Sequence, residues 1–235
     1  MVRQEIFGAE VYRDVVAPLW EGDIVLDVGA HTGLSTLYFA EKVSGLRIVA
    51  FEPAPTTYEC LVRNLSAYVP GATAHPYAIG AVSGDASFTY YPETPSQSGQ
   101  YASREADDQL TQDYLVKIGH DPEDAESLLA DLHVGQVMSV PMYTISEVIT
   151  RYRLEHIALI KIDVERAELD VLDGISEADW PRISSIVAEV HDLDGRLEVV
   201  RRMLTRHSFD VAVRQESWLA GTELWTIHAM RLPLQ

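Results

Sequence analysis

Basic residues and cysteine are both scarce in this chain, and no apolar run is long. Of 235 residues, 18 are Lys or Arg against 36 Asp or Glu, a formal net charge of −18. A surface this negative repels the phosphate backbone, whose binding relies on Lys and Arg to release counterions, and it repels anionic lipid equally. Neither nucleic acid nor a membrane is an expected partner. The single cysteine, Cys60, cannot close an internal disulfide, and no second thiolate exists for a zinc site. No stretch approaches the roughly 20 apolar residues of a membrane span, and the opening Met1-Val2-Arg3-Gln4-Glu5 lacks the basic start of a signal peptide. The expectation is a soluble, unprocessed protein of a reducing cytoplasm. What the chain does have is an apolar fraction of 47%, spread along its length, which supports a sizeable core and excludes general disorder.

Up to about residue 90, short apolar runs alternate with helix-like segments, the rhythm of βαβ units around a parallel sheet. Strands are predicted at 23–28, 47–51, 74–78 and 86–91, and helices at 12–20, 33–43 and 57–68. The pattern changes at 92–139, where a Pro, Ser, Gln and Gly stretch precedes two acidic helical segments, 105–117 and 123–133. Between Tyr101 and His133 stand nine Asp or Glu against two Lys or Arg. So long a polar excursion reads as a lid over a site rather than a connection. The βα rhythm then resumes with a helix at 145–152, a strand at 157–164, a helix at 167–174, a strand at 183–190 and a helix at 196–207. Two last strands, 209–215 and 223–230, are joined so closely through Leu219-Ala220-Gly221 that they must be antiparallel neighbours. No internal repeat and no clean linker divides the chain.

The chemistry is expected where the first strand turns into the first long helix, at Asp27-Val28-Gly29-Ala30-His31-Thr32-Gly33. At that edge of an open α/β sheet, glycines let a ligand approach the backbone and the helix N-terminus offers free N–H groups. Glu52 ends the second strand, placed to accept hydrogen bonds from both ribose hydroxyls of a nucleoside. A dinucleotide fingerprint needs a third glycine at closer spacing, which Gly29 and Gly33 do not provide. An acid before a loosened glycine turn suits S-adenosylmethionine, with its amino-acid end and no pyrophosphate.

DVGAHTG, FEPAPTTYECLVRNL, AIGAVSGDASF, IALIKIDVERAELDVLDGI and IVAEVHD, in that order, resemble the successive motifs of the FkbM-type class I methyltransferases that use S-adenosylmethionine. The similarity runs from about residue 21 to 230. It is strongest to O-methyltransferase domains of modular polyketide and hybrid synthases, to which EVHDLDGRLEVVRRML and WLAGTELWTIHAMR are also similar. The resemblance implies a Rossmann-like fold: one domain over 1–235, a mostly parallel seven-stranded sheet with one antiparallel strand, and a helical lid. It further implies that Asp27, Gly29 and Gly33 hold the methionine part of the cofactor and that Ala78 and Ile79 lie against adenine. Two positions depart from the pattern: His31, where glycine or asparagine is frequent, on the cofactor loop, and Arg166, where glycine is usual, on the substrate side.

Methyl transfer from a sulfonium needs an oriented acceptor and a route for its proton. Residues two apart on a strand share a face, so Glu189 and His191 project together, as do Lys161, Asp163 and Glu165. His191 is the expected general base, with Glu189 or Glu165 steadying its ring. Asp163, Glu165, Glu189, His191 and Asp192 also invite comparison with a divalent-metal site, although no metal is expected. The remaining histidines show no joint ligand spacing. Neither G-x-S-x-G nor a P-loop occurs. The expected acceptor is a hydroxyl of a secondary metabolite, either carried on an acyl carrier protein or free, including a sugar. An acidic carrier would have to dock away from the lid, near Arg151, Arg153, Arg196, Arg201 or Arg202. The rival readings are a nicotinamide-dependent oxidoreductase and a catalytically silent scaffold of the same fold.

Overall fold

The computed structural model describes residues 4–8, 11–216 and 219–231, so Trp218 of the last motif lies outside the described residues. In chain order the elements are α1 (Arg13–Val16), β1 (Ile24–Val28), α2 (Leu34–Lys42), β2 (Arg47–Phe51), α3 (Pro55–Tyr68), β3 (Thr73–His75), β4 (Ala78–Ile79) and β5 (Gly84–Tyr90). They continue with α4 (Arg104–Lys117), α5 (Pro122–Leu129), β6 (Gln136–Tyr143), α6 (Ile145–Tyr152), β7 (Leu159–Ile162) and α7 (Glu168–Asp173). The chain closes through β8 (Ser185–His191), α8 (Arg196–Arg206), β9 (Phe209–Arg214) and β10 (Leu224–Arg231).

Seven strands form one sheet in the order β3-β2-β1-β7-β8-β10-β9. All neighbours are parallel except β10, which runs antiparallel to both β8 and β9. This is the Rossmann-like α/β architecture expected, with its one reversed strand. The central strands are covered on both faces, so they read as continuous apolar runs rather than alternating ones: β7 is buried throughout, and β1 buries all but its first residue. The winding reverses between β1 and β7, whose register pairs Asp27 with Lys161 and Val28 with Ile162. Just beyond that pair lies the crevice in which open α/β sheets bind ligands.

Several boundaries differ from expectation for local reasons. The strand predicted over 74–78 is interrupted by Pro76, which sends His75 into the large sheet and Ala78 into a small one ordered β4-β6-β5. β6 was hidden inside the 92–139 excursion, which ends at 135, because Pro141 argues against an inner strand. β4 pairs only with Met142 and Tyr143, so no hydrogen bond is demanded of Pro141 on that side. The helix predicted over 12–20 stops at Val16, ahead of Pro18. The strand predicted over 157–164 ends at Ile162, because Glu165 and Arg166 turn into left-handed backbone. The helix predicted over 123–133 ends at Leu129, and His133 turns inward instead. Among the described residues no helix is long and apolar enough to cross a membrane.

Candidate active site

The β1–α2 turn is built on left-handed backbone at Gly29 (φ 74°), His31 (φ 50°) and Gly33 (φ 89°). At Gly29 a Cβ would run into the Asp163 carbonyl, so glycine is required there by close approach as well as by φ. Asp27 does not face the crevice. It is fully buried and accepts hydrogen bonds from Ser35 Oγ and Thr36 Oγ1, both at 2.6 Å, which tie the strand to the start of α2. Lys161 Nζ fastens the same turn from the neighbouring strand, donating to Gly29 O at 2.7 Å and lying 3.4 Å from Asp27 and 3.2 Å from Asp163. Burial acts to lower the Lys161 pKa, but the two carboxylates outweigh it and hold the ammonium charged. Asp27 and Gly33 thus belong to the frame of the turn and are not among the residues that line the cavity.

Glu52 accepts the His31 N–H at 3.0 Å on one oxygen and the Ala54 N–H at 2.9 Å on the other. Burial pushes its carboxyl up to about 7, against the pull of those two hydrogen bonds. Each oxygen retains a lone pair for a further donor. His31 is itself lowered by burial, which keeps its ring neutral beside the turn.

A second turn follows β7. Glu165 (φ 51°) and Arg166 (φ 74°) occupy left-handed backbone in succession, which costs non-glycine residues about 1–2 kcal/mol each. The turn delivers two carboxylates to His191 at the end of β8: Glu165 Oε2 lies 3.4 Å from Nε2, and Glu168 Oε1 lies 3.2 Å from Nδ1. Glu165 thus arrives from a turn and not from an extended strand. Glu168, fully buried on α7, was not foreseen; its only signal is an acid in the first turn of a short helix. Burial would lower the His191 pKa, but hydrogen bonds and charge from Glu165 and Glu168 prevail and hold it well above the ordinary imidazole range. Burial raises Glu165 in turn, partly offset by His191.

These groups open onto one cavity of about 720 Å³. Gly29, His31, Glu52, Asp163, Glu165, Glu189 and His191 line one part of it, and Phe51, Tyr77, Ala78 and Ile79 line an apolar wall. Segment 93–100 and Leu110, Thr111, Tyr114 and Leu115 of α4 form its roof. No Lys or Arg among the described residues lines the cavity. Among the described residues no three His, Cys, Asp or Glu side chains are grouped so as to hold a metal ion.

A model of the methyltransferase FkbM domain matches residues 27–211. The 31-O-demethyl-FK506 methyltransferase FkbM of Streptomyces tacrolimicus is 35% identical over 97% of this chain and 88% of its own length. The AMB antimetabolite synthetase AmbE of Pseudomonas aeruginosa is 34% identical over 98% of this chain, which spans 11% of that protein. Among solved structures, a methyltransferase FkbM from Methylobacillus flagellatus shares the fold at a TM-score of 0.58 and 14% identity, over 93% of this chain and 46% of that one.

Proposed function

The chain belongs to the FkbM methyltransferase family, and on that premise we propose that it transfers the methyl group of S-adenosylmethionine to a hydroxyl of an uncharged secondary metabolite of polyketide type. That membership displaces the nicotinamide-dependent reading. One observation carries the proposal: the glycine turn, Glu52 and the His191 cluster share a single roofed cavity.

The residues present fit the cofactor. Glu52 offers lone pairs to two ribose hydroxyls, Gly29 admits close approach to the backbone, and Phe51, Tyr77, Ala78 and Ile79 offer an apolar wall to adenine. When bound, the sulfonium supplies an already activated methyl electrophile. The protein's share is then orientation, exclusion of water and removal of one proton. Glu168 holds the His191 ring at Nδ1, and Nε2 first passes its proton to Glu165, whose carboxyl burial raises, so that the neutral ring can then take one from the acceptor hydroxyl at Nε2. The roof excludes water.

The cavity also bears on the acceptor. Glu52, Glu93, Asp163, Glu165 and Glu189 line it, among the described residues no Lys or Arg joins them to hold a phosphate or carboxylate, and much of the remaining lining is apolar. A relative named for methylation at an oxygen supports a hydroxyl acceptor. The test is methyl transfer by His191→Ala and His191→Gln, followed as a +14 Da product by mass spectrometry. General-base catalysis is worth about 10²–10⁴-fold, so both variants should lose that much turnover while binding S-adenosylmethionine as before. Near-normal turnover in both would remove His191 from the mechanism.

A further inference from the structure

Arg166 combines backbone that L residues rarely adopt with a side chain only 6% exposed. Its main chain and its side chain serve different ends. The main chain builds the turn: the Arg166 N–H donates to Glu168 Oε1 at 2.8 Å, and its carbonyl accepts from the Arg196 guanidinium. The side chain leaves the turn for the roof. Nη1 lies 2.6 Å from Asp107 Oδ1 on α4, and Nη2 lies 3.6 Å from Glu223, just before β10. Asp107 is itself 3% exposed and also accepts the Tyr91 hydroxyl at 2.8 Å and the Ser103 N–H at 3.0 Å. Close by, the roof rests on the same turn, since a Cβ at Gly99 would stand 3.0 Å from the Glu165 carbonyl.

We propose that Arg166 is a positioning residue that clamps α4 onto the turn bearing Glu165 and Glu168, fixing the roof over His191 and slowing the escape of whatever is bound beneath it. The proposal rests on the reading of the cavity as the cofactor and acceptor site. α4 contributes Leu110, Thr111, Tyr114 and Leu115 to the cavity, so the Asp107–Arg166 ion pair sets how far those side chains stand from the His191 cluster. Removing one partner of a buried pair leaves the other charge uncompensated, and Asp107 would then draw α4 toward water.

Glycine accepts φ 74° without strain, so Arg166→Gly retains both main-chain hydrogen bonds and deletes only the clamp. Arg166→Lys keeps the charge but not the fork that spans Asp107 and Glu223. Three measurements apply: amide exchange across 104–117, the dissociation rate of S-adenosylhomocysteine, and the titration of the His191 ring by NMR. In Arg166→Gly, exchange in α4 and release of S-adenosylhomocysteine should each quicken about tenfold, while exchange in β8 and the His191 titration stay unchanged. Arg166→Lys should fall between, and adding Asp107→Asn to Arg166→Gly should restore part of the slower exchange, because it removes the uncompensated charge. Unchanged exchange in α4 would overturn the proposal, as would a change in β8 and His191 as large as that in α4, which would mean that the side chain only supports the turn. If the unmodified protein does not bind S-adenosylhomocysteine, the cofactor reading fails, and the exchange arms still decide the clamp.

Discussion

Glu52 is buried for a task that water would do better, since burial raises its carboxyl to about 7 and so disfavours the ionised form that accepts best. The ionised form predominates above that pH, and protonation removes one acceptor as the pH falls. Affinity for S-adenosylmethionine should therefore be level above pH 8 and weaken about tenfold on descending to pH 6, a slope that isothermal titration calorimetry measures and that Glu52→Gln should flatten. Level affinity across that range would show that Glu52 does not hold the ribose through its charge. At this scale the sequence was most legible where function is local. Gly29 and Glu52 follow directly on the ends of their strands, and His191 ends its own. Glu168 was not legible, because what makes it matter is a contact with His191 across 23 positions of chain. Nothing in a six-residue helix announces which of its acids turns inward.

Among the elements, those buried on both faces were read from their apolar runs, and proline accounts for the small-sheet strand and the early end of α1, whereas the strand over 157–164 and the helix over 123–133 were overrun where the chain turns. β6 is the clearest case: Pro141 hid a strand whose exposure nonetheless alternates, with Val140 at 3% and Val137 at 74%. Because β6 packs one face against Phe88, Tyr90 and Ala54, two identical substitutions on it should differ sharply. Val140→Ala should cost about 2 kcal/mol in urea denaturation, from lost burial and the space left behind, and Val137→Ala less than about 1 kcal/mol. Equal costs would contradict the register of β6 against β5. The splitting of the predicted 74–78 strand at Pro76 follows the same logic. A residue that cannot continue a ladder marks where the chain leaves one sheet for another.

For the whole molecule the formal charge of −18 limits how an acceptor arrives. The 101–133 segment that includes α4 carries nine Asp or Glu against two Lys or Arg, and the arginines that could offset them are largely engaged. Arg201 and Arg202 both pair with Glu198, Arg196 holds the Arg166 carbonyl, and Arg151 lies over the Tyr143 ring. An acidic carrier protein approaching such a surface meets repulsion that salt screens, with a Debye length that falls from about 30 Å at 0.01 M to about 8 Å at 0.15 M. A free neutral acceptor meets none. The same hydroxyl presented both ways should separate the two routes. KM for the carrier-bound form should fall several-fold between low and physiological salt, and KM for the free form should stay constant within a factor of about two. A carrier-bound KM that rises with salt would mean attraction instead of repulsion, and would place docking on the exposed Arg153 or on arginines released from their present partners.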